Sequence, residues 1–366
     1  MTVLARTAPS ASAAPTTVLP AQARVAHVDV ARGLSIVLVA LYHSGLQPFM
    51  AEPMQAVGLC RLPLFFFLAG VVFPTGRTVG RVALERARAL LLPYAVVLLA
   101  LLARSAWKGE GAMAERLLGI AWGNGGTIEW IPMWFLPHLW LLSVVAALAL
   151  RESGWLRWHP LAQGLALLAL FEWGATHLAP AQAVALSWGS HTVTLPWWPF
   201  SADLIGVSLA FLLLGVRLRE PVLRWRPQWQ WVGAAAVVFL AVAAGSDARL
   251  NLNLRQCEAP LLAGAAALAG IYLLLALAWA MARVAPLGRA WRHLGQASLF
   301  ILVFHDHVDN KVQALLAPHL GAGHPLLVAL CAFGLCLAVP LLIRQAVLRQ
   351  RLLALAFGLR PGFSAR

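Results

Sequence analysis

The 366-residue chain predicts an all-α polytopic membrane protein, and three observations carry that prediction. Its composition is 61% hydrophobic and 11% charged, outside the range of soluble domains. Apolar runs of about 17 to 25 Leu, Ala, Val and Phe recur along it, long enough to cross a bilayer as helices. Alternation of β-branched residues is scarce, which argues against a membrane barrel. Ten spans are expected, near 28–47, 58–76, 87–105, 133–150, 161–178, 202–217, 231–246, 260–282, 297–317 and 325–347. They form one membrane domain over 27–347, between a leader over 1–26 and a basic tail over 348–366.

The net charge of +14 would suit nucleic acid, but its placement removes that need. With both termini in the cytoplasm, twenty of the 28 basic residues fall on cytoplasmic segments. Six, namely Arg104, Lys108, Arg116, Arg249, Arg255 and Lys311, fall on outer loops. That asymmetry is the positive-inside tendency for an even number of spans.

Taken in order, the leader is rich in Ala, Pro, Thr and Ser and lacks an apolar core of signal-peptide length, so it reads as disordered and cytoplasmic. The first span, His27 to Gly45, carries Asp29, Arg32 and His43 in an otherwise apolar run. Ionisable residues at bilayer depth cost about 3 kcal/mol or more and usually face a protein interior or a polar cavity. Eleven residues are almost three helical turns, so Arg32 and His43 share a face and stand about 16 Å apart along it. Asp29, three residues before Arg32, is spaced to pair with it. A purely structural role, a buried ion pair and a hydrogen-bonded histidine, fits this spacing too.

The second span has Arg61 near its mouth and runs through Pro63 and three phenylalanines to Gly70, where close helix packing is the plainest reading. The loop before the third span holds Arg81, Arg86 and Arg88, followed by Leu90 to Pro93 and Tyr94. The longest outer loop, about 105–132, contains Trp130. A second, about 179–201, contains Trp198, and Asp203 opens the sixth span. Trp at such boundaries belongs mostly to interfacial belts, although a flat ring also complements a sugar face. The ninth span holds His305, Asp306, His307 and Asp309. Residues two apart diverge by about 200° on a helix, which argues against a metal held by His305 and His307, and no metal site is expected. His305 and Asp309, four apart, are spaced for a histidine–carboxylate pair. Cys331 and Cys336 read as packing thiols, and a Cys60–Cys257 disulfide is an option that sequence cannot decide.

Arg32 and His43 with Asp29, Pro63 to Gly70, Arg86 to Tyr94, Trp134 to Leu136 and Ser298 to His305 together resemble, in order and spacing, the landmarks of the acyltransferase 3 family of integral membrane acyltransferases. Ala69 stands where the family usually has Ser. The resemblance implies an O-acyltransferase of a bacterial inner membrane. It would take an acyl group, most commonly acetyl, from cytosolic acetyl-CoA as co-substrate, with no bound cofactor. The acceptor hydroxyl would belong to an extracytoplasmic polysaccharide or lipid-linked glycan. In that frame His43 and Arg32 are the catalytic pair, supported by Asp29 and His305. Arg81, Arg86 and Arg88 are candidates for the donor's phosphates. Arg61, Asp203, Trp130 and Trp198 are candidates for the acceptor. Two alternatives share these residues: an acyl shuttle feeding a separate transferase, and a proton-coupled transporter or flippase.

Overall fold

The computed structural model describes residues 25–188, 191–321 and 323–359. Nearly all of the expected leader, and the end of the expected tail from 360, lie outside the described residues. The chain enters through α1 (Ala26–Tyr42), makes a 3-10 turn at Gln47–Met50 and continues as α2 (Ala51–Val71). Helix α3 (Val79–Arg86) passes through a π-helical turn, Ala87–Leu91, into α4 (Leu92–Trp107). Pro93 lies just beyond that turn and supplies no N–H to the helical ladder. Next come α5 (Met113–Trp122), α6 (Phe135–Glu152) and α7 (Pro160–Thr176). The antiparallel hairpin β1 (Ala183–Trp188) and β2 (His191–Pro196) follows, then α8 (Ile205–Arg217), α9 (Arg219–Leu223) and α10 (Trp229–Gly245). A second hairpin, β3 (Arg249–Asn251) and β4 (Gln256–Glu258), leads to α11 (Pro260–Arg283) and α12 (Ala285–Gln296). The chain closes with α13 (Ser298–Leu316), α14 (Pro325–Arg349) and α15 (Arg351–Ala356).

Among the described residues, six helices are long and apolar enough to cross a membrane: Gln47–Val71, Val79–Trp107, Ile131–Glu152, Pro199–Arg217, Pro260–Arg283 and Pro325–Arg349. Helices occupy the other four expected spans as well. Three of them, α1, α7 and α10, have 17 residues each, and α13 carries Asp306, Asp309 and Lys311, so length and apolarity alone do not qualify them. The periphery is leucine-rich. Leu165, Leu240, Leu261 and Leu342 are 59%, 63%, 62% and 61% exposed, a surface made for lipid rather than water. The protein is therefore a multi-pass, mostly helical membrane protein.

Helix α1 is the hub, packed by α2, α11, α12, α13 and α14. Helix α2 in turn lies against α8, where Gly70 faces the Leu212 carbonyl and Gly215 faces the Phe67 carbonyl. A Cβ at either glycine would overlap the opposing backbone, so Gly70 has the packing role its sequence setting suggests.

The structure departs from the sequence expectation at four places. The loops around 183–196 and 249–258 fold into hairpins, because Thr192-Val193-Thr194-Leu195 and Leu250-Asn251-Leu252 alternate with the two-residue period of a strand. The loop expected over 105–132 contains α5. The expected tail begins as α15, and Phe357 stacks on Phe300 with ring centroids 5.0 Å apart. Cys60 and Cys257 are both free thiols. Burial pushes the Cys257 thiol up to about 12, as suits an inert packing thiol.

Candidate functional site

Helix α1 stops at Tyr42, and the turn that ends it carries His43 at its C-cap. Two contacts hold this turn. The Ser44 hydroxyl donates to the Leu41 carbonyl at 2.8 Å, and the Gly45 N–H donates to the Asp309 carboxylate on α13 at 3.1 Å. The Gln313 side-chain amide donates to the same carboxylate oxygen. Asp309 thereby ties the His43 turn to α13.

One helical turn before Asp309, the His305 ring meets the His43 ring edge-on, with centroids 5.5 Å apart. His305 Nδ1 lies 2.7 Å from the Ile301 carbonyl and 3.0 Å from the Leu302 carbonyl. Both partners are acceptors, so Nδ1 carries the proton and Nε2 is left as an acceptor. That Nε2 is buried without a protein partner, and so is Asp309 Oδ1. The expected His305–Asp309 pair is therefore not formed. Carbonyls of the same helix capture the imidazole, while a backbone N–H of the α1 turn captures the carboxylate.

From α2, the Arg61 guanidinium carbon sits 3.6 Å from the centre of the Tyr42 ring. Arg61 is 4% exposed, and its Nε and Nη1 have no hydrogen-bond partner. The Tyr42 hydroxyl accepts a bond from Asn251 Nδ2 at 2.9 Å. Tyr42, His43 and Arg61 line a narrow cavity with Phe65, Phe135, Leu302 and Asn253.

Two further spaces join this cavity through shared walls. At the Arg32 end of α1, a space of about 850 Å³ is bounded by Arg32, Arg86, Ala69 and Ser298, and again by Phe65, Phe135 and Leu302. At the hairpin end, a vestibule of about 800 Å³ shares Tyr42 and Arg61 and is otherwise lined by Gln47, Gln55, Arg249, Asn251 and Gln256. The three lie in series along α1. Phe65 and Phe135, edge to face at 4.7 Å, form the partition between the first two.

Arg32 and His43 therefore line neighbouring spaces that share Phe65, Phe135 and Leu302 as walls. Asp29 stands one turn before Arg32 on the same helix. Of the three loop arginines, Arg86 joins Arg32. Arg81 is exposed and paired with Glu85 at 3.0 Å, and Arg88 is exposed. Asp203 does not reach the cavity, because it pairs with Arg255 at 2.8 Å in a fully buried contact. Trp130 stacks on His307 at 4.7 Å, and Trp198 is half exposed; neither lines the three chambers.

Sequence reasoning missed Tyr42, Asn253 and Arg255. Arg255 sits at the end of the β3–β4 turn with φ +54, a left-handed conformation that a side chain adopts only when its surroundings enforce it. It donates to Asp203, to the Ser201 hydroxyl at 2.9 Å and to the Asn253 carbonyl at 3.1 Å, and it lies 3.8 Å from the centre of the Trp197 ring. This anchor fixes the hairpin tip so that Asn253 borders the His43 cavity, with its Oδ1 buried and unpartnered. The signal that could have found the tip is the strict alternation Leu250-Asn251-Leu252-Asn253.

The site thus combines the His43 imidazole, guanidinium groups at two levels (Arg32 and Arg86, then Arg61) and unpartnered polar atoms at His305 and Asn253, around neighbouring spaces along α1. No curated protein and no solved structure matches the chain. A family model described as an acyltransferase domain matches residues 25–345. With that span matched and these chambers at its centre, the chain belongs to the acyltransferase 3 family and is a membrane acyltransferase.

Proposed function

We propose that the protein transfers an acyl group, acetyl in the simplest case, from cytosolic acyl-CoA to a hydroxyl of an extracytoplasmic polysaccharide or lipid-linked glycan in a bacterial inner membrane. The observation that carries this reading is the series of chambers along α1, with Arg32 and Arg86 in the first and His43 in the second. In this reading the Arg32 end faces the cytosol. Guanidinium groups suit the phosphates of the donor, which they hold through paired charge-assisted bonds. The donor's thin pantetheine arm then passes the Phe65–Phe135 partition toward His43.

The acceptor hydroxyl arrives through the vestibule. His43 takes its proton, the oxygen attacks the thioester carbonyl, the carbon–sulfur bond breaks, and the CoA sulfur leaves with the proton returned from the imidazole. An imidazole is suited to both transfers because its bare ring nitrogen accepts the proton and the imidazolium so formed gives it back. Arg32 stays protonated and positions the donor. His305 packs edge-on against the His43 ring and holds it in place.

Membranes supplied with radiolabelled acetyl-CoA and candidate glycans test this directly. Wild type labels the glycan; His43→Ala and Arg32→Ala insert normally and do not. Full labelling by His43→Ala removes the proposed base. Purified protein that needs a second protein to label the glycan is an acyl shuttle. Glycan movement without acetyl-CoA consumption marks a transporter.

A further inference from the structure

We propose that the vestibule beside Arg61 is a binding site for a carboxylate-bearing saccharide, so that the acceptor is an acidic glycan. This rests on the acyl-transfer reading for its biological sense, but the site itself is built from contacts independent of that chemistry.

Three observations point to an anion. Arg61 is 4% exposed, its Nε and Nη1 have no hydrogen-bond partner, and its guanidinium lies over the Tyr42 ring. None of the residues lining the vestibule or the His43 cavity is Asp or Glu. Of the carboxylates around them, Asp203 is paired with Arg255 and Glu258 with Arg249, while Asp309 accepts from Gly45 and Gln313 through one oxygen, Oδ2. A buried charge without a counter-charge is costly, and a ligand that supplies one recovers that cost on binding. The bare Nε and Nη1 lie on different edges of the guanidinium, so each has its own hydrogen to give to an anion in a charge-assisted bond.

The rest of the wall names the remainder of the ligand. Gln47, Gln55, Asn251 and Gln256 are amides, each able to donate and accept, which is what sugar hydroxyls require. Asn253 adds an unpartnered acceptor on the far side of Arg61, toward His43. A saccharide held by its carboxylate at Arg61 presents a neighbouring hydroxyl to that side.

Calorimetry on the full-length protein in nanodiscs, without acyl donor, tests the site separately from the reaction. The probes are a galacturonic acid trisaccharide, its carboxyl-reduced neutral twin and a phosphorylated twin. The acid is expected to bind about tenfold tighter than the neutral sugar, and Arg61→Gln to reduce that preference to about twofold. Gln55 is exposed, so Gln55→Glu folds readily; it places a like charge in the vestibule and weakens the acid severalfold. Equal affinity for acid and neutral twin, an undiminished preference in Arg61→Gln, binding of the phosphorylated twin alone, or no binding at all would each overturn the proposal. Acid-selective binding in a protein that transfers no acyl group would leave the site standing and remove the acyl-transfer reading instead.

Discussion

Two arginines near the hairpin end of the bundle are almost equally buried, Arg255 at 1% and Arg61 at 4% exposure, and each lies over an aromatic ring. Their surroundings differ completely. Arg255 gives its hydrogens to Asp203, Ser201 and the Asn253 carbonyl, a closed set that needs nothing from outside. Arg61 keeps Nε and Nη1 bare. A satisfied buried cation holds a fold together, whereas an unsatisfied one at a cavity wall is poised for something that arrives. Burial alone does not separate these two roles; the partner count does.

The largest expected effect lies on the Arg61 side, at the base it adjoins. His43→Ala should lower the transfer rate between about a hundredfold and ten-thousandfold, the usual range for a lost general base, with the protein still inserted. Next comes the Arg255 side: Asp203→Ala strands a buried guanidinium and should cost about 3–5 kcal/mol, read as a lowered Tm in detergent. Pairing it as Asp203→Leu with Arg255→Met should recover most of that loss, since apolar replacements of a buried pair are often neutral. If Asp203→Ala unfolds no more easily than wild type, Arg255 is not the strut described here. A smaller effect is expected at Arg86, where Ala should raise the KM for acyl-CoA about tenfold, the scale of one lost charge-assisted contact of ~1.5 kcal/mol or more. Smallest of all, Arg61→Met should change stability by no more than about 1 kcal/mol, because the stacking lost is balanced by removal of an uncompensated charge. A loss as large as that of Asp203→Ala would make the two arginines alike.

Much of this was readable from residue order. The Arg32–His43 face, the helical class and the close approach at Gly70 follow from helical periodicity, which depends only on neighbours along the chain. The Asp203–Arg255 pair does not, since its members are separated by 52 positions and meet only because the hairpin tip is drawn under the 3-10 turn that precedes α8. His305 and Asp309 show the converse failure. Four-residue spacing brought them into reach, but the carbonyls of Ile301 and Leu302 and the N–H of Gly45 competed more effectively. Spacing states who can meet; the free energy of every rival partner decides who does.

The edge-to-face rings of Phe65 and Phe135 have a bioenergetic consequence. They place an aromatic layer between the Arg32 space and the His43 cavity, as a dielectric lies between the plates of a capacitor. In the acyl transfer proposed above, a slender thioester chain would part that layer for a single turnover while hydrated ions found no foothold there, so the group would cross without discharging the cell's voltage.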